Sequence, residues 1–316
     1  MIRVLSLNGN GPTGGAAGRA VAVGNFDGVH LGHRVVIERV IARARERGLS
    51  PALVSFYPHP SVALGRASVA TYLTPLREKV RLLSELGLEE LILIQFTRSV
   101  RELSPASFLK DILIDRLNVQ SLILGYDTRL GKDRAGDAAT ILPLFSALGK
   151  DAEVADRLES SGQIISSRGI RALIQDGNVA GANELLGRRY AVTARVVHGD
   201  GRGAALNFPT ANLLVRRQLL PQNGVYAGYA HHERFGVFRA VANIGVRPTF
   251  GTGLAVTPRL EVHLLDFSGR LYGERLSFSF VLRLREERKF DSVDALRKQI
   301  ENDCADAKAL PSPSEL

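Results

Sequence analysis

Residues 20–33 read AVAVGNFDGVHLGH, and this stretch decides the fold of the first half of the chain. Its apolar opening, residues 20–24, predicts a buried strand, and the apolar spacing over residues 32–47 predicts a helix. A strand that passes through glycines into a helix is typical of a phosphate site. Free backbone N–H groups and the positive end of the helix dipole attract anions there.

Short apolar runs and helical patterns continue to alternate after this stretch. The predicted strands are 51–56, 91–94 and 121–124, and the predicted helices are 74–86 and 104–117. This alternation predicts a parallel sheet with helices on both faces, an α/β fold. Residues 3–18 are rich in glycine and are predicted to be a flexible lead-in.

The pattern changes near residue 187, where strands begin to dominate. Predicted strands cover 190–197, 224–230, 238–243, 260–265 and 276–284, and a final amphipathic helix covers about 292–307. Several strands alternate in polarity between Gly, Pro or Asn turns, as in an antiparallel sheet or barrel. We therefore predict two domains, residues 1–185 and 186–316.

Composition narrows the functional classes. The 316 residues include 41 Lys and Arg against 32 Asp and Glu, giving a net charge of +9. These cations are scattered, only 6% of residues are aromatic and Trp is absent, so phosphorylated small molecules explain the charge as well as a nucleic acid would. Charge alone does not decide between them, and the expected partners are small molecules without nucleic acid. The sequence contains no uninterrupted run of about 18 apolar residues, so no membrane span is predicted. The expected location is cytoplasmic.

Two histidines stand in the first turn of the predicted helix. His30 and His33 are three residues apart, so their rings can face one pocket and donate hydrogen bonds to a triphosphate. Surface or capping roles and a zinc site are the alternatives, although no third ligand stands at metal spacing beside them.

Four motifs extend this pattern: residues 24–33, 55–60 (SFYPHP), 73–79 (LTPLREK) and 131–137 (GKDRAGD). The first resembles the His-x-Gly-His signature of nucleotidyltransferases, in the form carried by bacterial bifunctional riboflavin kinase/FAD synthetases. The resemblance implies a Rossmann-like domain that transfers AMP from ATP to FMN with Mg²⁺ and releases pyrophosphate.

The same resemblance implies the residues of this site. His30 and His33 are the expected catalytic residues. The expected ATP and phosphate contacts are Gly24, Asn25, Phe26, Asp27, Gly28, Gly32, Ser166, Ser167 and Arg171, and the expected flavin contacts are Tyr126, Asp127, Lys132 and Arg134. The sequence departs from the family pattern at Thr128 and Leu130, where aromatics are usual, and at Arg168 and Gly169 in the Ser-Ser-Thr-x-Ile-Arg motif.

The second half has no Walker-type Gly-x-x-x-x-Gly-Lys-Ser/Thr motif. It has Gly199, Gly201 and Gly203 before residues 207–212 (NFPTAN). These residues and the segments 224–227, 243–250, 261–267 and 271–273 resemble a riboflavin kinase module. That resemblance implies a Greek-key barrel, closed by the C-terminal helix, that transfers the γ-phosphoryl group of ATP to the ribityl 5′-hydroxyl.

Within this module the resemblance implies that Thr210 and Asn212 bind Mg²⁺. It also implies that Glu261 accepts the proton of the hydroxyl group. The glycines at 199, 201 and 203 are expected to contact ATP phosphates, and Asn243, Arg247 and Thr249 the flavin. Asn207 stands where the family usually has Gly. We interpret His198 and His263 as structural, and His231 and His232 as an exposed turn.

Two alternatives to a bifunctional enzyme remain open. One is a riboflavin kinase whose N-terminal domain is weakened or re-purposed, because of the departures at 128–130 and 168–169. The other is a flavin or nucleotide sensor, which would have no need of the carboxylate of Glu261. The sequence does not indicate an oligomeric state.

Overall fold

The computed structural model describes residues 2–7, 18–58, 71–160, 163–199, 201, 203, 206–246 and 258–313. The chain divides into two units, Met1–Ser167 and Arg168–Leu316.

The first unit is built on a six-stranded sheet in which all strand pairs are parallel. Its strands are β1 (Arg3–Leu7), β2 (Arg19–Val23), β3 (Ser50–Tyr57), β4 (Glu90–Gln95), β5 (Val119–Leu124) and β6 (Asp151–Val154). They lie in the order β1-β4-β3-β2-β5-β6. The predicted parallel sheet is confirmed.

Helices cover both faces of this sheet. They are α1 (Leu31–Arg47), α2 (Leu76–Glu85), α3 (Arg98–Arg101), α4 (Pro105–Ser107), which continues as the π-helical segment Phe108–Ile114, and α5 (Ala138–Ala147). A 3₁₀ turn (Lys132–Arg134) and a small ribbon of β7 (Glu159–Ser160) and β8 (Gln163–Ile164) complete the unit. Alternation along β2 creates two cores: Val21 and Val23 pack with the π-helical segment and α5, whereas Ala20 and Ala22 pack with α1 and α2.

The prediction of a flexible lead-in over residues 3–18 is wrong for β1. Arg3–Leu7 forms an edge strand that pairs with β4 alone. Leu5 and Leu7 share one face of this segment, as in a half-buried strand, and the glycines begin only after it. Residues 8–17 lie outside the described residues.

The second unit is a closed barrel of six antiparallel strands. They are β9 (Ala191–Val197), β10 (Ala211–Leu214), β11 (Gly224–His232), β12 (Gly236–Val246), β13 (Pro258–Leu264) and β14 (Arg275–Arg285), in the order β10-β13-β12-β11-β14-β9. Pairing of β9 with β10 closes the barrel. The predicted antiparallel architecture is confirmed.

Helices α6 (Ser167–Gln175) and α7 (Val179–Leu186) precede the barrel, and α8 (Val293–Lys308) follows it. Cys304 and Ala307 of α8 pack on Val225, Ala227 and Val241 of the barrel. The Arg285 guanidinium donates through two nitrogens to the buried carboxylate of Asp303 on α8, with Nη2 to Oδ2 at 2.7 Å. The predicted C-terminal helix is therefore present and anchored to the barrel.

A buried ion pair joins the amino ends of the first unit's strands. Arg19 is 1% exposed and Glu90 is 2% exposed. The Arg19 guanidinium donates to Glu90 at 2.6 Å and to the carbonyl of Leu117 at 2.6 Å, and Arg3 reaches the other Glu90 oxygen at 2.5 Å. One carboxylate thus connects β1, β2 and β4.

Glu90→Ala should lower the stability of the first unit by about 3–5 kcal/mol, because it leaves the Arg19 charge buried without its carboxylate. Hydrogen exchange of the β2 and β5 amides measures this loss. Arg81→Ala is the control: its partners Glu78 and Glu85 form exposed pairs, which contribute at most about 1 kcal/mol. Equal losses in the two variants would contradict the assignment of Glu90 as a buried tie between strands.

Candidate functional site

The turn between β2 and α1 has left-handed backbone at three residues: Phe26 (φ 47°), Gly28 (φ 95°) and Val29 (φ 43°). This conformation costs about 1–3 kcal/mol at each non-glycine residue unless the surroundings hold it. The buried carboxylate of Asp27 supplies one such hold, since its two oxygens accept the backbone N–H groups of Leu73 and Thr74 at 3.2 and 3.1 Å. The turn is fixed before any ligand binds.

His30 is the N-cap of α1. Its Nδ1 accepts the backbone N–H of His33 at 3.2 Å, so a neutral His30 ring carries its proton on Nε2. The two imidazole rings stack with centroids 3.6 Å apart and an interplanar angle of 17°. The structure therefore brings both predicted catalytic histidines together at the positive end of a helix.

Gly32 lies against the His30 ring. A Cβ at this position would meet the ring at 3.3 Å and the carbonyl of Ile165 at 3.4 Å. Gly24 is similarly close to Phe26, because a Cβ there would lie 3.2 Å from the aromatic ring. Glycine at these two positions lets the backbone and the rings pack closely around the turn.

Sequence reasoning missed Lys79, which lies on α2 directly beneath the turn. Its side chain is 7% exposed, and its Nζ donates to the carbonyl of Asn25 at 2.6 Å. The hydroxyl of Ser55 donates to the same carbonyl at 3.4 Å. The signal in the sequence was the position of a lysine one helical turn after Thr74-Pro75, a predicted helix start.

The predicted flavin residues follow β5. Tyr126 is partly exposed and the Arg157 guanidinium lies 5.4 Å from its ring centroid. Burial, and secondarily the charge of Asp127, raises the pKa of the Tyr126 hydroxyl. This tyrosine and arginine form an exposed aromatic and cationic surface beyond the end of the strand.

Lys132 and Arg134 lie in a loop that two backbone hydrogen bonds between Leu130 and Gly136 close. Lys132 pairs with Glu102 at 2.8 Å, and this partner raises the pKa of the lysine. Leu130, one departure from the family pattern, is buried in the core beside the π-helical segment. Its aliphatic side chain fills core volume there, and flavin binding by these residues stays a prediction.

Residues 166–171 span the division between the units. Ser166 and Ser167 end the first unit, and the hydroxyl of Ser167 donates to the carbonyl of Asp27 at 2.7 Å. Arg168, Gly169 and Arg171 lie on α6 in the second unit. Phosphate binding by Ser166, Ser167 and Arg171 stays a prediction.

In the barrel, strand register brings three predicted residues into one row. Glu261 on β13 lies directly opposite Asn212 on β10 and Asn243 on β12. Residues that oppose each other across neighbouring strands share a face. Because Leu260 and Val262 point into the barrel core, Glu261 and both asparagines lie on its outer face.

The glycine loop packs tightly against this row. A Cβ on Gly199 would lie 2.2 Å from the Asn212 amide nitrogen, and one on Gly203 would lie 2.3 Å from the carbonyl of Phe208 and 3.3 Å from the hydroxyl of Thr210. His263 lies 2.8 Å from the carbonyl of Pro209 and supports the segment that carries Thr210. Its expected structural role fits this contact.

Asn207 has a φ of 67°. Asparagine tolerates this left-handed conformation better than most residues that have a Cβ, so its replacement of the family's usual glycine preserves the turn. His231 and His232 both lie in β11, so the prediction of a turn is wrong. His231 is exposed as expected, whereas His232 is buried and lies 2.7 Å from Glu274. Arg247 and Thr249 lie outside the described residues.

The fold and the two candidate sites together are typical of a two-domain transferase. A Rossmann-like sheet presents stacked imidazoles at a helix N-terminus, and a separate barrel presents a carboxylate between two amides. The FAD synthetase family model matches residues 15–169, and the riboflavin kinase family model matches residues 186–310.

Curated relatives agree along nearly the whole chain. The bifunctional riboflavin kinase/FMN adenylyltransferase of Bacillus subtilis is 38% identical over 91% of this chain and 90% of its own length. The Escherichia coli K12 protein of the same description is 37% identical over 90% of each chain, and that of Pseudomonas fluorescens is 38% identical over 94% of each. The chain belongs to the family of bifunctional riboflavin kinase/FMN adenylyltransferases.

A solved structure from Streptococcus pneumoniae, described as a macrolide-efflux protein, is also similar. It is 29% identical, covers 98% of this chain and 99% of its own, and has a TM-score of 0.88. Among the helices that can be described in the present chain, none is long and apolar enough to cross a membrane.

His30→Ala should weaken the first turn of α1 by about 1 kcal/mol, because the N-cap acceptor is lost. His30→Asn should recover most of this stability, since an asparagine oxygen can accept the same N–H group. Hydrogen exchange at the His33 amide compares the two variants. Equally fast exchange in both would show that the His30 ring nitrogen does not cap the helix.

Proposed function

We propose that this chain phosphorylates riboflavin to FMN with ATP and then adenylylates FMN to FAD with a second ATP. The row of Asn212, Glu261 and Asn243 on the barrel carries the proposal for the first reaction. The stacked His30 and His33 at the start of α1 support the second.

We assign the adenylyltransferase to residues 1–185 and the kinase to residues 186–316, although residues 168–185 group with the second unit of the fold. The match of the riboflavin kinase family model begins at residue 186, and that of the FAD synthetase model ends at residue 169. The partners are small molecules, namely riboflavin, FMN and ATP, and the proposed location is cytoplasmic.

In the kinase reaction, Glu261 accepts the proton of the ribityl 5′-hydroxyl. The hydroxyl oxygen bonds to the γ-phosphorus while the bond from that phosphorus to the bridging oxygen breaks, and ADP leaves. An alcohol is a weak nucleophile at neutral pH, so a positioned carboxylate lowers the barrier. Asn243, opposite Glu261 on the neighbouring strand, is proposed to orient the flavin substrate.

Thr210 and Asn212 fit a role in holding Mg²⁺. The amide oxygen of Asn212 is buried and has no hydrogen-bond partner among the described residues, and hydroxyl and amide oxygens suit this hard cation. Within the described part of the chain, no group of three or more His, Cys, Asp or Glu side chains is arranged to hold a metal. Mg²⁺ is usually bound with substrate phosphates among its ligands, so these phosphates would complete the coordination and the bound ion would neutralise charge on them.

The adenylyl transfer depends less on a general base supplied by the protein than the kinase reaction does. A phosphate oxygen of FMN bonds to the α-phosphorus of ATP, and the bond to pyrophosphate breaks. This oxygen is already ionised at neutral pH, so orientation and positive charge matter more than a general base. The Nε2–H of His30, the His33 ring and the N–H groups of Leu31 and Gly32 are proposed as donors, because the N–H of His33 is already bonded to His30. Gly24, Asn25, Phe26, Asp27, Gly28 and Gly32 are proposed to shape the turn.

A kinase with a re-purposed first domain is less favoured. The FAD synthetase model matches the first domain, and the relatives named above are described as bifunctional. Tyr126, Asp127, Lys132 and Arg134 are proposed to hold the flavin, with the ring of Tyr126 offering a stacking surface despite Thr128 and Leu130.

The direct test is to incubate the purified protein with riboflavin, ATP and Mg²⁺ and to separate the flavins by chromatography. FMN followed by FAD supports the proposal. FMN without FAD supports the kinase-only alternative, and unchanged riboflavin supports a sensor.

Glu261→Gln should lower FMN formation by about 10²-fold or more, while FAD formation from supplied FMN persists. His33→Ala should have the opposite effect. Glu286→Gln and His231→Ala, which alter exposed residues of the second unit, should change neither rate. Loss of both activities in a folded single variant would contradict the assignment of separate sites.

Gly199→Ala should lower FMN formation by about tenfold or more, because the added methyl group displaces the Asn212 side chain and small misplacements of catalytic groups are costly. Initial rates of riboflavin phosphorylation measure the effect. Gly236→Asn is the control, since a Cβ there meets nothing within 4 Å and asparagine tolerates the left-handed backbone at this position (φ 88°) better than most residues that have a Cβ. Unchanged phosphorylation in Gly199→Ala would show that Asn212 is not needed where the structure places it.

A further inference from the structure

Lys79 carries a positive charge into the interior next to the proposed adenylyl-transfer site. Its side chain is 7% exposed, and its Nζ donates to the Asn25 carbonyl at 2.6 Å. Within the described part of the chain, no carboxylate forms an ion pair with it. Burial lowers the pKa of Lys79, and the nearby charge of Asp27 opposes this effect.

Lys79 and Asp27 both connect the turn to α2 and the residues that precede it, one as a donor from α2 and the other as an acceptor on the turn. The Asp27 carboxylate, on the turn, accepts N–H groups from Leu73 and Thr74, which precede α2. The Lys79 ammonium, on α2, donates to the turn at Asn25. The left-handed residues between Asn25 and His30 are therefore held from one side by α2 and its leading segment.

Holding a carbonyl group does not require a charge. A neutral amide donor would bind the Asn25 oxygen without the large desolvation cost of a buried ammonium. A charge that is buried without an ion pair is favoured where an anion binds nearby. The start of α1, which attracts phosphate through its N–H groups and dipole, is the place that the turn adjoins.

We propose that Lys79 is a positioning residue for adenylyl transfer, which fixes the turn through Asn25 and supplies positive charge that the polyphosphate of ATP requires. This inference rests on the proposed adenylyltransferase function. Lys79 acts through its charge and through the turn that it holds at Asn25, whereas His30 and His33 are proposed to contact the reacting phosphates.

Lys79→Gln separates the two contributions because glutamine keeps a donor for Asn25 and removes the charge. The reverse reaction gives the sharpest measurement: FAD and pyrophosphate form FMN and ATP, so the KM for pyrophosphate reports the transferase site alone. In Lys79→Gln we expect this KM to rise at least tenfold, with the KM for FAD within twofold of the unaltered protein. Lys79→Arg should restore the KM for pyrophosphate to within threefold.

Arg81→Gln is the matched control on the same helix, since Arg81 is exposed and pairs with Glu78 and Glu85. It should change neither KM. Riboflavin phosphorylation in each sample should also stay unchanged.

Two results would overturn the proposal. One is an unchanged KM for pyrophosphate in Lys79→Gln. The other is an equal rise in the KM values for pyrophosphate and FAD, or misfolding of the variant, either of which would mean that Lys79 only stabilises the fold. If the unaltered protein forms no FAD, the proposed function fails. Lys79 is then tested by itself through binding of pyrophosphate to the Asn212→Ala variant, which lacks a proposed magnesium ligand of the barrel, with and without Lys79→Gln.

Discussion

The left-handed turn between β2 and α1 is the feature on which the first unit depends. The backbone at Phe26, Gly28 and Val29 is unfavourable by itself. It is held because Asp27 accepts N–H groups from the segment before α2 and the Asn25 carbonyl accepts a hydrogen bond from Lys79 on α2. Because the turn is fixed, α1 begins directly beyond the strand with both imidazoles at its positive end. The first site is thus a consequence of how one turn is held.

A different constraint organises the barrel: successive side chains along a strand point to opposite faces of the sheet. Leu260 and Val262 must point into the core, so Glu261 between them must point outward. The register with β10 and β12 then places it between Asn212 and Asn243. The packing of the core and the composition of the second site are therefore parts of one pattern, and a shift of one residue would destroy both.

Much of this arrangement was readable in the sequence. The alternation of apolar runs and helical patterns predicted the parallel sheet, and the strong turn signals predicted the antiparallel barrel. The spacing of His30 and His33 predicted that their rings would meet. These features are local, and local spacing determines them.

Features that depend on distant partners were harder to predict. The edge strand β1 requires β4, more than 80 residues away, since their register joins Arg3 to Glu90. Asn212 was assigned by resemblance, but its place beside Glu261 follows from strand register. Lys79 ends the motif 73–79, but only the fold shows that its ammonium group reaches the turn at Asn25. His232 was misjudged because its partner, Glu274, lies in a distant segment.

A chain that performs both reactions needs two independent nucleotide sites. Equilibrium titration with a non-hydrolysable ATP analogue and Mg²⁺ tests it directly by counting bound nucleotides. Two per chain is the expected result, with Asn212→Ala abolishing one and leaving the affinity of the other unchanged. A single site per chain, or loss of both sites in that folded variant, would contradict the claim.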